Sequence, residues 1–92
     1  MAEETLVKKF KVLNEFGIHA RPAALLVRAA GQFDCDIFME KDGNKVSCKS
    51  IMGLMTIEGY PGSTMTVTTS GDDAQEAMNA IEELFINKFG ED

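Results

Sequence analysis

The sequence predicts an α+β fold: an open-faced two-layer sandwich with a four-stranded antiparallel sheet and three helices on one face. Three observations lead there. Apolar spacing alternates between a period of two and a period of 3.6, giving the order β-α-β-β-α-β-α. The run Asp42-Gly43-Asn44 joins two short strand-like segments with hairpin-turn chemistry. Lys9, Lys11, Thr64, Thr66 and Thr68 would line a solvated sheet face, as expected where helices cover only the other.

The elements follow in order. Residues 5–12 alternate, with Phe10 and Val12 on one face and Lys9 and Lys11 on the other, which reads as a half-buried strand. Residues 20–32 place Ala23, Val27 and Ala30 at helical spacing with Leu26 beside them. Pro22 is tolerated only in a first turn, so it sets where this helix begins. Strands are expected over 36–41 and 45–48, and a short helix over 50–56 with Ser50 as its N-cap. Tyr60-Pro61-Gly62-Ser63 is a turn, and residues 64–70, rich in Thr and Val, form the fourth strand. Ala74, Ala77, Met78, Ile81, Leu84 and Phe85 then draw a clear helical stripe, with acids at its start and Lys88 near its end.

Ninety-two residues make one domain, 1–92, with a core that needs no staple. A chain this size buries roughly 60–65% of its unfolded surface. No apolar stretch is long enough to span a bilayer, and the start Met1-Ala2-Glu3-Glu4-Thr5 is acidic, unlike a signal peptide. A cytoplasmic monomer without membrane insertion is expected. Fifteen acids against nine bases give a net charge of −6, which argues against nucleic acid or an anionic membrane as the main partner. Cys35 and Cys48 form neither a framework nor a CxxC pair. Their number leaves a disulfide open, but both read better as small buried apolar residues. One histidine and two separated cysteines offer no metal-ligand spacing, and no Gly-rich phosphate loop is present, so no metal or cofactor is expected.

The chemistry concentrates around the sole histidine, His19, in Gly17-Ile18-His19-Ala20-Arg21-Pro22. This run closes a strand-like segment and opens a helix, so the imidazole stands at a helix N-terminus. Free backbone N–H groups and the helix dipole favour an anion there. Arg21 adds a forked donor suited to phosphate oxygens. A histidine at this place also reads as a plain cap or a satisfied boundary residue. Its neighbours favour a ring that carries a phosphoryl group. A kinase or phosphatase needs carboxylates and metal around an enclosed nucleotide, which so small a core could hardly hold. The chain therefore reads as a substrate of other enzymes and not as an enzyme itself.

Two segments carry a family resemblance. Gly17-Ile18-His19-Ala20-Arg21-Pro22-Ala23 resembles the active-site signature of HPr, the histidine-containing phosphocarrier family of the bacterial phosphoenolpyruvate-dependent sugar phosphotransferase system. Lys49-Ser50-Ile51-Met52-Gly53-Leu54-Met55 resembles the regulatory signature of the same family. The resemblance implies that His19 takes a phosphoryl group from enzyme I and passes it to enzyme II A components, with Arg21 steadying the phosphoimidazole. It places the bond at Nδ1, a choice the residues alone do not make. It also implies that Ser50 is a substrate of an HPr kinase/phosphorylase, whereas taken alone the residue is an N-cap.

Ile51, Met52, Leu54 and Met55 make the short helix apolar almost all round. Such a stripe reads either as core or as an exposed, adaptable docking patch. The resemblance favours docking, with Ala20, Ala24 and Leu25 beside Ile51, Met52 and Met55 as an apolar ring around the phosphate. One position departs from the family: Phe16, where a small or polar residue is common. A benzyl group cannot hydrogen-bond the helix end or the phosphate, so it bears on the loop and on the phosphohistidine's lifetime. Two other readings stand beside the carrier. One is a regulatory paralogue that signals by its phosphorylation state, and the other an adaptor that docks through the Met-rich helix alone.

Overall fold

The computed structural model describes residues 4–91, so residues 1–3 of the acidic N-terminal run and residue 92 lie outside it. Seven elements follow in the expected order: β1 (Thr5–Lys11), α1 (Ala20–Ala30), β2 (Asp36–Lys41), β3 (Asn44–Ser47), α2 (Ile51–Met55), β4 (Thr64–Ser70) and α3 (Ala74–Ile86). A 3-10 turn, Lys88–Gly90, follows them. The strands form one sheet in the order β1-β4-β2-β3, and every pair is antiparallel.

Local chemistry sets most boundaries. Asp42 and Gly43, at φ 51° and 83°, form a two-residue turn of the mirror-image kind that matches strand twist, so β3 begins one residue early, at Asn44. Helix α1 stops at Ala30 rather than residue 32, with the Gly31 amide donating to the Val27 carbonyl. Lys88 does not belong to α3. Lys88 and Phe89 take φ 55° and 54°, which turns the chain back on itself.

The register puts Leu6, Lys8 and Phe10 of β1 on the face of Thr69, Val67 and Met65 of β4, beneath the helices. Ile37 and Met39 of β2 join them. Ala23, Leu26 and Ala30 of α1 and Ala77, Met78, Ile81 and Phe85 of α3 close the core from above. Leu26 is wholly buried, whereas Val27 is only partly so. Phe10 stacks on Phe85 at 5.0 Å, and Phe85 meets Phe89 edge-on at the same distance, so the 3-10 turn is anchored in the core. The buried Thr69 hydroxyl donates to the Ala74 carbonyl at 2.9 Å, which removes the cost of an unpaired polar group. Lys8 reaches across to Glu82 of α3 at 3.0 Å. Lys9, Lys11 and Thr64 are exposed on the other face of the sheet, with Thr66 and Thr68 half-buried beside them.

Two loops meet at one end of this sandwich. The Val12 amide donates to the Ser63 carbonyl, the Gly62 amide to the Val12 carbonyl, and the Ile18 amide to the Gly59 carbonyl, at 2.8–2.9 Å. Gly17, at φ 68°, and Gly59 face each other where they meet. A Cβ on Gly17 would run into the Gly59 carbonyl, and one on Gly59 would lie 2.5 Å from Cγ1 of Ile18. This close seam holds the residues before α1 in one place.

Candidate functional site

His19 is the residue just before α1, in extended conformation at φ −100° and ψ −165°. Its side chain makes no capping hydrogen bond, so the ring is not used as a cap. The first turn is closed by the Ala23 amide on the His19 carbonyl at 3.0 Å. The amides of Ala20 and Arg21 precede that bond, and Pro22 has none, which leaves a small donor surface at the helix start.

The ring is 39% exposed and is held from one side only. Nε2 lies 2.8 Å from Oε2 of Glu91. The other carboxylate oxygen, Oε1, accepts from Nδ2 of Asn14 at 2.8 Å. The same Nδ2 donates to the Gly17 carbonyl at 2.7 Å. Asn14 is fully buried, and both of its neighbours are acceptors, so its amide can face them only with the NH2 group. Oδ1 is thereby left without a partner among the described residues.

These bonds settle the ring's tautomer. The Asn14 amide, then the hydrogen bond and charge of His19 and the charge of Arg21, pull the Glu91 carboxyl below its ordinary 4.5, against an opposing effect of burial. Glu91 is therefore an ionised, acceptor-only group near neutral pH. Nε2 must carry the hydrogen, and in a neutral ring Nδ1 keeps its lone pair. Nδ1 has no hydrogen-bond partner among the described residues. The structure thus presents a bare ring nitrogen at a helix N-terminus, with an arginine nearby.

Phe16, the departure from the family pattern, is 70% exposed and turns its ring edge-on to the imidazole, with centroids 6.2 Å apart. It flanks the histidine as a wall and makes no polar contact with the helix end. Arg21 is exposed, and its charge is felt at Glu91.

Helix α2 lies against α1, and its sides divide sharply. Leu54 is fully buried, while Ile51, Met52 and Met55 are 43%, 77% and 50% exposed. Ala20 and Ala24 are exposed on α1, and Leu25 is half-buried. Ser50 caps α2, its Oγ accepting from the Gly53 amide at 3.1 Å, and remains exposed. The structure places all nine residues expected at the site on or beside α1 and α2. Asn14 and Glu91 were missed. Neither carries a sequence signal, since Asn14 sits in a loop and the Glu91 contact spans 72 positions.

Elsewhere the molecule offers little chemistry. Cys35 and Cys48 are free and buried, and burial pushes their thiols up to about 11 and about 12. Among the described residues no three His, Cys, Asp or Glu gather as a metal site. No helix among the described residues is long and apolar enough to cross a membrane. An open hollow of about 360 Å³ lies at the opposite end of β4 from His19, lined by Asp34, Cys35, Ser70, Gly71 and Asp73 among others. The Asp73 carboxylate there is occupied with the amides of Asp34 and Cys35 at 2.9 and 3.0 Å.

Residues 6–87 match the family model described as the phosphotransferase-system HPr component phosphorylation site. The chain belongs to the HPr family. A phosphocarrier protein HPr of Treponema pallidum is 47% identical over 87 residues, covering 95% of this chain and 99% of that protein. An HPr-like protein Crh of Halalkalibacterium halodurans is 53% identical over 74 residues, covering 80% of this chain and 88% of that protein. The crystal structure of HPr-C-His from Thermoanaerobacter tengcongensis matches with a TM-score of 0.85 at 42% identity, over 100% of this chain and 99% of that one. The four-stranded antiparallel sheet with three helices is the HPr fold. HPr proteins are phosphocarriers of the phosphotransferase system, and relatives named HPr-like show that the family also holds paralogues.

Proposed function

We propose that the protein accepts a phosphoryl group from phospho-enzyme I on Nδ1 of His19 and donates it to enzyme II A components in cytoplasmic sugar uptake. The observation that carries this reading is the bare Nδ1 at the start of α1, opposite a hydrogen-bonded Nε2. Attack by the Nδ1 lone pair forms the N–P bond as the donor's bond to phosphorus breaks, and onward transfer reverses the exchange. The amides of Ala20 and Arg21 and the Arg21 guanidinium receive the phosphate oxygens, adding donors where negative charge gathers. The partner enzymes complete the in-line geometry, so the protein is their substrate and does not catalyse the transfer alone.

Ala20, Ala24, Leu25, Ile51, Met52 and Met55 form the docking surface, apolar residues of α1 just after His19 and of the α2 helix packed against it, all exposed except the half-buried Leu25 and suited to adaptable Met-rich binding. Ser50 is a substrate of an HPr kinase/phosphorylase. A phosphate there adds about −1.5 to −2 charge beside Ile51 and Met52, which weakens apolar docking. The protein acts as a monomer.

Incubation with enzyme I and phosphoenolpyruvate, followed by intact mass and acid treatment, tests the reading. One acid-labile phosphate is expected on the intact protein and none on His19→Ala. Arg21→Ala is expected to slow transfer by about tenfold without unfolding the chain, as for loss of one charge-assisted contact. Acid-labile labelling of His19→Ala would overturn the assignment. The 53% identity to an HPr-like Crh protein supports a second reading, a regulatory paralogue that signals by its phosphorylation state. That reading expects a phosphorylated protein that enzyme II A components discharge poorly.

A further inference from the structure

We infer that Glu91, oriented by the buried Asn14, is a positioning residue that keeps the proton of His19 on Nε2 throughout the transfer cycle, so that onward transfer releases a neutral imidazole. The inference rests on His19 being the phosphoryl carrier, and it adds what makes the ring a good acceptor and then a good donor.

The geometry is specific in three ways. First, the carboxylate meets the ring at Nε2 and leaves Nδ1 free, so the group that fixes the tautomer does not stand in the path of the phosphorus. Second, its position is built. Phe89 is 2% exposed and packed on Phe85, which brings the chain back so that Glu91 arrives beside His19. Asn14 Nδ2 then holds Oε1 while the same NH2 group grips the Gly17 carbonyl, two residues from the histidine. Third, the Glu91 side chain is only 13% exposed, so water competes weakly for the Nε2 hydrogen.

The chemistry follows from proton and electron accounting. On acceptance the Nδ1 lone pair becomes the N–P bond, the donor's bonding pair leaves with the donor, and the ring gains positive character while Nε2–H stays. The adjacent carboxylate offsets that charge and keeps the proton in place. On donation the N–P bond breaks and its electron pair returns to Nδ1. With Nε2 still protonated, the departing ring is neutral imidazole. Without that proton it would be imidazolate, a much poorer leaving group. Glu91 touches neither phosphorus nor its oxygens, so it acts through the ring.

Glu91→Gln provides the test. Glu91 meets the Asn14 amide and the Nε2–H with different oxygens, and in the glutamine an NH2 donor replaces one of them, so one of the two bonds is lost. The first readout is the pair of imidazole 15N shifts of the unphosphorylated protein at alkaline pH. The intact chain is expected to show a protonated Nε2 and a bare Nδ1, and Glu91→Gln a mixture in which the Nδ1–H form is substantial. The second is transfer to an enzyme II A component, where the maximal rate is expected to fall by about tenfold, as for loss of one charge-assisted bond, with little change in KM. Asn14→Ala is expected to move both readouts the same way, and thermal melting monitors its fold. A single Nε2–H tautomer retained in Glu91→Gln overturns the positioning role, and a mixed tautomer with unchanged transfer overturns the leaving-group role. Absence of any phosphate on His19 in the intact protein is a different failure. It removes the carrier reading and the leaving-group step with it, whereas the tautomer result is read without any enzyme.

Discussion

Gly17 and Gly59 occupy a seam where a single methyl group cannot fit. Gly17 needs both the left-handed φ of 68° and the space against the Gly59 carbonyl. Gly17→Ala is expected to destabilise the fold by about 1–3 kcal/mol, the usual cost of a forced left-handed residue, and to displace His19. Chemical denaturation and the His19 ring signals measure the two effects. Gly59→Ala should behave similarly through the Ile18 side chain. At this scale the sequence was legible where the chemistry is local. His19 and Arg21 could be read because an imidazole, an arginine and a helix start lie within a few residues. The Asn14–Glu91–His19 chain of bonds could not, because only the folded backbone brings residues so distant in sequence together. Phe16 could be recognised as a departure, but its edge-on contact with the imidazole depends on how the folded loop turns the ring.

Helix α2 has five residues, too few to stand without packing and capping. Ser50→Ala removes the hydroxyl that accepts from Gly53 and is expected to cost about 1 kcal/mol, read from denaturant midpoints. Met52→Glu, on the most exposed side chain of the helix, should leave stability nearly unchanged and weaken binding to enzyme I, measured by calorimetry. Equal affinity in that variant would remove α2 from the docking surface. The regular elements were legible because each alternates or repeats with its own period, as in Met65, Val67 and Thr69 or Ala77, Met78, Ile81 and Phe85. The 3-10 turn was not. Lys88 and Phe89 hold positive φ values that neither residue prefers, and Phe89 is buried where they turn the chain. Lys88 consequently read as the end of α3.

For the whole molecule, two carboxyls tie stability to acid. Asp73 is held below its ordinary 3.8, first by the Asp34 amide and then by its bond with Cys35, and Glu91 is held below 4.5 by Asn14 and His19. A depressed folded-state value means that the unfolded chain binds the proton more tightly. The stabilisation is therefore complete above the unfolded values and is lost as pH falls through the folded ones. Melting temperature is expected to hold steady near neutrality and to decline below about pH 4.5. A chain carrying Asp73→Asn and Glu91→Gln should melt lower at neutral pH and decline less steeply in acid, as followed by calorimetry.

The position of β4 has a kinetic consequence. It is the last strand in sequence, yet it lies between β1 and β2, and its Ser70 pairs with Thr5 some 65 positions away. Only the β2–β3 hairpin can zip up from neighbouring residues. The β2–β4 ladder closes a loop of intermediate length and the β1–β4 ladder one across much of the chain, and the entropy of each closure must be lost before its pairing repays it. The sheet therefore completes as one cooperative event on about the millisecond scale, since neither β1 nor the hairpin has its neighbour until β4 slides between them.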